Sequence, residues 1–277
     1  MTMAKKIKKI FFKIFLMSSV NARFKKEPAV FESIVSADPK KLFVIILAFN
    51  KPDLIELHYT AIKKFLRDEY EYFIMDNSSE DEPSAQIKDY CLAQGLNYIR
   101  LPKNPGIDES INPGLAFNWI YSNLIVRFKP DRFGFIDSDL FPIEPVSISP
   151  YLEEGDAWGV IHHCAPRPFR NFRKEIWYLW LGLLFFRREY LNGQEPNFLP
   201  GWGIDAGGRV HVNPDEVKKL PDVYDLHGKP GEPWTVEPVH GVRVHFYGKF
   251  VHFIGGSWQS NGLENQIHWM KNILKNN

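Results

Sequence analysis

The chain has little cysteine and no long apolar run. Its two cysteines, Cys91 and Cys164, stand far apart without C-x-x-C spacing. That excludes a disulfide framework and a cysteine-built zinc site, and it predicts a reducing compartment. No apolar stretch reaches the roughly 20 residues that a transmembrane helix requires, so no ordinary membrane span is predicted. Net charge is almost absent as well: 34 Lys and Arg stand against 33 Asp and Glu, a formal +1 at pH 7. A near-neutral body excludes nucleic acid as the main partner.

What is present is apolar and aromatic. The 277 residues are 44% hydrophobic and 15% aromatic, enough to bury the core of one large α/β domain. The neutral total hides an uneven distribution. Residues 1–26 hold eight Lys or Arg and no acid, and the remaining 26 basic residues face all 33 acids, a body of −7. Within that start, Ile7, Ile10, Phe11, Ile14 and Phe15 fall on one helical face with lysines at its flanks. The pattern predicts a helix lying on an anionic membrane surface. A signal peptide with a Ser-Val-Asn-Ala cleavage candidate, or a disordered tail, are the alternatives. Residues 1–40 are therefore read as a basic amphipathic tail and 41–277 as a single domain.

From Lys41 onward, strand and helix signals alternate. "KLFVIILAF" is apolar without alternation, as a parallel strand covered on both faces would be. Leu54, His58, Ala61, Ile62 and Phe65 then share a helical face. "YEYFIMD" reads as a second strand, and residues 83–94 as a helix ended by Gly95. "LNYIRLP" is a third strand, "NPGLAFNWIYSNLIV" a helix with Pro113 in its first turn, and "RFGFIDSD" a fourth strand. This alternation predicts a doubly wound, mostly parallel sheet, which binds ligands beyond the carboxyl ends of its strands. Asn50, Asp76, Asn104 and Asp137 all stand at such ends. After residue 150 the rhythm loosens. The basic loop "APRPFRNFRK" reads either as an anion clamp or as a solvated loop. The glycine-rich "GWGIDAGG" and two histidine-bearing strands follow, and a helix over 263–274 closes the chain.

"FIDSDLFP" places Asp137 and Asp139 one residue apart between buried segments. Two like charges so close call for a cation, and carboxylate oxygens suit Mg²⁺ or Mn²⁺; an ordinary surface turn is the alternative. Together with "VIILAFNKPDLI", "FIMDNSS" and "NPGIDESINPGLAFNWI", this element resembles the GT-A fold glycosyltransferases, in the manner of glycosyltransferase family 2. The resemblance implies a Rossmann-like α/β fold with a mixed, acceptor-binding C-terminal half. It implies a nucleotide-sugar donor held by Phe49, Asn50 and Asp76, with Asn104 and Asp137 at neighbouring strand ends. It also implies a divalent metal, Mn²⁺ or Mg²⁺, on Asp139 and Asp137.

"HFIGGSW" resembles the late His-x-x-Gly element of metal-dependent members, in which His252 would complete the metal shell and Gly255 and Gly256 would admit the diphosphate. His245 has the same spacing to Gly248, and a strand histidine satisfied by its neighbours is the plain alternative. Asp205 is the candidate base for an acceptor hydroxyl, with Asp156 and Glu175 as contenders and a Gly-rich Asx turn as the other reading. The expected acceptor is a glycan or lipid-linked saccharide, and the expected location is cytoplasmic, at the membrane surface through the tail. Two other functions stay open. One is a sugar nucleotidyltransferase, against which "AFNKPD" counts because it is no Gly-rich triphosphate loop. The other is a non-catalytic, membrane-attached saccharide-binding protein.

Overall fold

The strands that carry apolar residues on both faces find cover on both. The computed structural model describes residues 17–103, 105, 111–155, 157–164, 176–191, 195–200, 206–207, 210, 238–239, 242–253 and 262–276. Strand β1 (Phe31–Ser33) is followed by β2 (Leu42–Ala48), which is buried at all but one of its positions. β2 pairs in parallel with β3 (Tyr70–Asp76) on one side and β5 (Arg132–Asp137) on the other. β4 (Asn97–Arg100) extends the parallel set beyond β3. Three antiparallel strands complete a sheet of order β1-β4-β3-β2-β5-β8-β7, in which β7 is Ala157–Cys164 and β8 is Ile176–Arg187. This is the Rossmann-like α/β arrangement that the alternation predicted.

Helices cover the parallel set. α2 (Pro52–Phe65) has proline at its start, Asp53 in its first turn and Lys63 and Lys64 in its last, matching charge to the helix dipole. Its buried face is wide because it is covered twice. Ile55 and Ile62 pack toward the large sheet, while Leu54, Leu57 and Ala61 pack on a second, smaller sheet. α3 (Asp81–Ala93) ends just before Gly95, whose φ of +65° closes the helix as the sequence anticipated. α4 (Ile111–Ile120) is buried nearly all round and continues through a π-helical turn, Tyr121–Ile125, into α5 (Val126–Phe128).

The segment before Lys41 contributes to this core. Residues 17–24 are helical and are designated α1, and their Met17 and Phe24 are buried against the α4 side. Trp119 donates its indole N–H to the Glu27 carbonyl at 2.8 Å, and Asn123 donates to the Lys25 carbonyl at 3.0 Å. β1 then pairs with β4 at the sheet edge. The apolar face expected over Ile7–Phe15 lies outside the described residues. Among the described residues no helix is long and apolar enough to cross a membrane.

The second sheet has order β6-β11-β10-β9, built from β6 (Leu140–Pro142), β9 (Pro238–Val239), β10 (Val242–Tyr247) and β11 (Phe250–Phe253). Strand alternation gives it two unlike faces. Phe141, Val244, Val251 and Phe253 pack against α2 and against Met270 of the last helix, Leu263–Asn276. His245, Tyr247 and His252 occupy the opposite side, with His245 and His252 directly paired across the strands. Between β6 and β7 runs a short helix, α6 (Ser149–Glu154).

Candidate active site

The site begins where β5 ends. Phe133, Phe135 and Ile136 are buried, so the strand is fixed up to Asp137, and the turn through Ser138 and Asp139 is held between β5 and β6. β6 pairs antiparallel with β11, setting Leu140 opposite His252. The Phe253 amide donates to the Asp139 carbonyl at 2.8 Å and ties the turn to β11 from the backbone. These ladders bring side chains from distant parts of the sequence together. One ligand atom from each of Asp137, Asp139 and His252 lies within 4.8 Å of the others. The Nε2 of His252 is 3.4 Å from Asp139 Oδ1.

Electrostatics fit a cation. Burial pulls the His252 pKa down, but the charge and hydrogen bond of Asp139, with the charge of Asp137, outweigh it and hold the pKa above the ordinary value. Burial and then the Asp137 charge push the Tyr247 hydroxyl up, keeping it neutral. Two carboxylates and one imidazole are a donor set for Mn²⁺ or Mg²⁺, with nitrogen leaning toward Mn²⁺. His245 stands outside this group. Its ring is 6.5 Å from that of His252, and its Nδ1 is 3.3 Å from the Tyr247 hydroxyl.

Beneath the turn lies His58 of α2, fully buried, with Nδ1 2.7 Å from the Tyr72 hydroxyl and its ring 5.6 Å from Phe141. Burial lowers its pKa to about 3, against weaker raising effects from the Leu140 backbone and the Asp139 charge. Sequence reasoning placed His58 on the apolar face of a helix and had no signal for its closeness to the Asp139 turn.

The nucleotide candidates at the neighbouring strand ends behave differently. Asp76 is fully buried. Its Oδ1 accepts the Ser78 amide at 2.9 Å, and its Oδ2 accepts the Tyr98 hydroxyl at 2.7 Å, Arg100 Nη1 at 3.2 Å and the Ser84 hydroxyl. Asn50, at φ +52°, donates through Nδ2 to Ser79 Oγ at 2.8 Å and to Glu80 Oε1 at 3.1 Å, and accepts the Glu80 amide at 3.1 Å. Both side chains thus bind the β3–α3 loop to the sheet. Phe49 is half-buried beside them. Next to Asp76 is Asn77, buried, with an Oδ1 that has no hydrogen-bond partner. The sequence reading passed over it. No signal in the sequence separated it from the polar loop that follows β3.

Asn104, Asp205, Gly255 and Gly256 lie outside the described residues, as do Asp156 and Glu175. Gly207, two residues after Asp205, sits against Leu181 of β8, and its amide donates to the Phe198 carbonyl at 2.8 Å.

A family model described as Glycosyl transferase family 2 matches residues 43–197, just over half of the chain. The chain belongs to glycosyl transferase family 2. Its fold is the GT-A, Rossmann-like α/β fold, and the matched stretch contains the parallel strands and the Asp137–Asp139 turn. No curated protein matches it in sequence. Among solved structures it is similar to the mannosyltransferase PcManGT from Pyrobaculum calidifontis in complex with GDP-Man and Mn²⁺, at 16% identity over 66% of this chain and 54% of that one, with a TM-score of 0.37. TarS from S. aureus, residues 1–349, is 16% identical over 64% of this chain and 59% of that one, with a TM-score of 0.39. Glucosyl-3-phosphoglycerate synthase from Mycobacterium tuberculosis, in complex with Mn²⁺, UDP and glucosyl-3-phosphoglycerate, is 20% identical over 60% of this chain and 62% of that one, with a TM-score of 0.38. The chain spans less than two thirds of the length of each.

Proposed function

We propose that this family 2 glycosyltransferase moves a sugar from a nucleotide-sugar donor to a hydroxyl of a glycan or lipid-linked saccharide, with Mn²⁺ or Mg²⁺ as cofactor. The observation that carries the reading is the convergence of Asp137, Asp139 and His252 at the carboxyl end of β5, where sheets of this type bind ligands. A divalent cation held by these three groups would neutralise charge on the leaving diphosphate. Asp137 and Asp139 would supply the oxygens, and His252 would supply a nitrogen once deprotonated. Asp76 and Asn50 hold the β3–α3 loop as one wall of the nucleotide crevice. The amide of Asn77, whose buried Oδ1 has no hydrogen-bond partner, lies in the same wall. Phe49, Asn50 and Asp76 are the proposed base and ribose contacts, Asn104 is a further donor-binding candidate, and Gly255 and Gly256 would admit the diphosphate. Asp205 takes the acceptor proton if the transfer inverts.

Family membership supports transfer over the nucleotidyltransferase and the non-catalytic binding protein. The basic start of the chain is the surface attachment that would hold the enzyme at a membrane from the cytoplasmic side. The test of the reaction is release of nucleoside diphosphate from a panel of UDP- and GDP-sugars, with Mn²⁺ and then with chelator. We expect release with at least one donor and loss of it on chelation. Chelator-insensitive turnover would remove the metal from the mechanism.

A further inference from the structure

The last strand pair of the large sheet contains an irregularity that the proposed chemistry leaves unused. Along β7 and β8 the register is Gly159 with Leu184 and then Ile161 with Leu179, so two steps on β7 are matched by five on β8. β8 therefore bulges over residues 180–183. Such bulges bend a strand and re-aim a side chain, and they gather next to active sites. Both strands are shaped for this one. Gly159 sits at φ +152°, and a Cβ there would stand 2.2 Å from the Leu183 carbonyl oxygen. A Cβ on Gly182 would stand 2.2 Å from the Trp180 ring. The missing side chain at 182 is the space in which the indole lies.

The ladder between β5 and β8 ends at Ile136 with Leu183, so Trp180 lies past the carboxyl end of β5. The bulge carries its ring to the metal-binding group. The indole meets the His252 imidazole edge-on at 5.1 Å between centroids and lies 5.8 Å from the Tyr247 ring. Apolar neighbours on the strand, Leu179, Leu181 and Leu183, are buried, whereas Trp180 keeps part of its surface open. An aromatic face beside the cation that would hold a diphosphate is well placed for the next group along the substrate. That group is a sugar ring, whose C–H faces pack on indole.

We propose that Trp180, seated on Gly182 by the β8 bulge, is the floor of a saccharide subsite that receives a pyranose ring next to the metal centre. This deepens the function proposed above and rests on it. The ring is either the donor sugar or the acceptor sugar, and the two share the chemistry that the indole recognises.

The test uses the full chain with Trp180→Ala and Trp180→Phe, followed by thermal shift. The probes are Mn²⁺ alone, Mn²⁺ with UDP or GDP, the corresponding nucleotide sugars, and free mono- and disaccharides added to the Mn²⁺–nucleoside diphosphate complex. In the wild type we expect a nucleotide sugar, or a free saccharide, to add stabilisation beyond Mn²⁺ with nucleoside diphosphate. Trp180→Ala should weaken that sugar-dependent binding about tenfold, the scale of one lost aromatic contact, and Trp180→Phe should retain most of it. The nucleoside diphosphate response should persist in both variants. Loss confined to nucleotide sugars assigns the donor, and loss confined to free saccharides assigns the acceptor. An unchanged sugar increment in Trp180→Ala, or no sugar increment in the wild type, overturns the subsite. So does loss of the Mn²⁺–nucleoside diphosphate response in Trp180→Ala, which would make the indole only a support for His252. If the wild type shows no response to Mn²⁺ with any nucleoside diphosphate, the proposed function itself fails.

Discussion

Two strand ends of the same sheet carry acids, and they stand in different surroundings. Asp76, at the end of β3, is surrounded by donors from its own wall: a backbone amide, two hydroxyls and a guanidinium. Asp137 and Asp139, at the end of β5, stand beside each other and a histidine delivered by another sheet. The first acid uses its charge to close a loop. The second pair brings carboxylates of one sign together with an imidazole, close enough for one atom of each to reach a single cation. An acid at the ligand-binding edge of an α/β sheet is thus no statement about ligands until its donors have been counted.

The sharpest way to break the contrast is to remove each acid. Asp139→Ala should lower transfer by about 10³-fold, the several kcal/mol that metal charge stabilisation supplies, while the unfolding midpoint stays near wild type. His252→Ala should raise the Mn²⁺ concentration for half-maximal activity about tenfold or more, and His245→Ala should leave it within about threefold, since only His252 lies in the group. Activity against Mn²⁺ concentration decides, and the reverse ranking would move the late ligand to His245. Asp76→Ala should act on stability instead, costing about 3 kcal/mol by urea unfolding because it leaves an arginine and two hydroxyls without their acceptor. A stable Asp76→Ala protein that has lost only nucleotide binding would erase the distinction between the two strand ends.

A smaller effect probes the floor under the second pair. His58 is neutral when folded, with a pKa near 3 against 6.5 in its ordinary state. Between those values acid charges it only in the unfolded chain, so the unfolded state holds more protons and stability falls as pH drops through that window. The slope from this one group is at most about 1.4 kcal/mol per pH unit. His58→Asn should flatten the pH dependence of the urea midpoint between pH 4 and 6. Identical slopes in both proteins would show that the imidazole is not held neutral. The least effect on the folded body is expected at the start of the chain. Deleting residues 1–14 removes five of the eight basic residues there and spares Met17 and Phe24. At about 1 kcal/mol per basic residue near an anionic surface at low salt, it should release the protein from anionic vesicles without changing its melting temperature. Vesicle binding that survives the deletion would place attachment elsewhere.

The same contrast marks what the sequence made legible. β2 could be read from an unbroken apolar run, β3, β4 and β5 from short apolar and aromatic segments, α2 from periodicity and α3 from its terminating Gly95, because burial in a parallel sheet leaves a local signature. The Asp-x-Asp pair was visible for the same reason, pinned between apolar segments. The partners of Asp76 were not, since Tyr98 and Arg100 meet it through the β3–β4 ladder and Ser84 through the placement of α3. The docking of residues 17–24 was hidden too. Met17 and Phe24 belong to a basic stretch whose charge dominates its pattern, and they join a core cluster drawn mostly from residues far away in sequence. Trp180 sits in an apolar run, and only a register count across two strands distinguishes it from its buried neighbours.

The pairing of β6 with β11 also sets a timetable for the growing chain. When Leu140 has been synthesised, its strand partner His252 is still about 110 residues from existing. Until then the parallel strands can assemble from nearby contacts, but the two acids of the turn have no imidazole beside them and β6 has no ladder to join. Closing that long gap is a slow, non-local step. A nascent or prematurely ended chain that stops before Phe250 would therefore carry the parallel strands without the completed Asp137, Asp139 and His252 group. On the proposed function, activity would arrive only with the final hairpin.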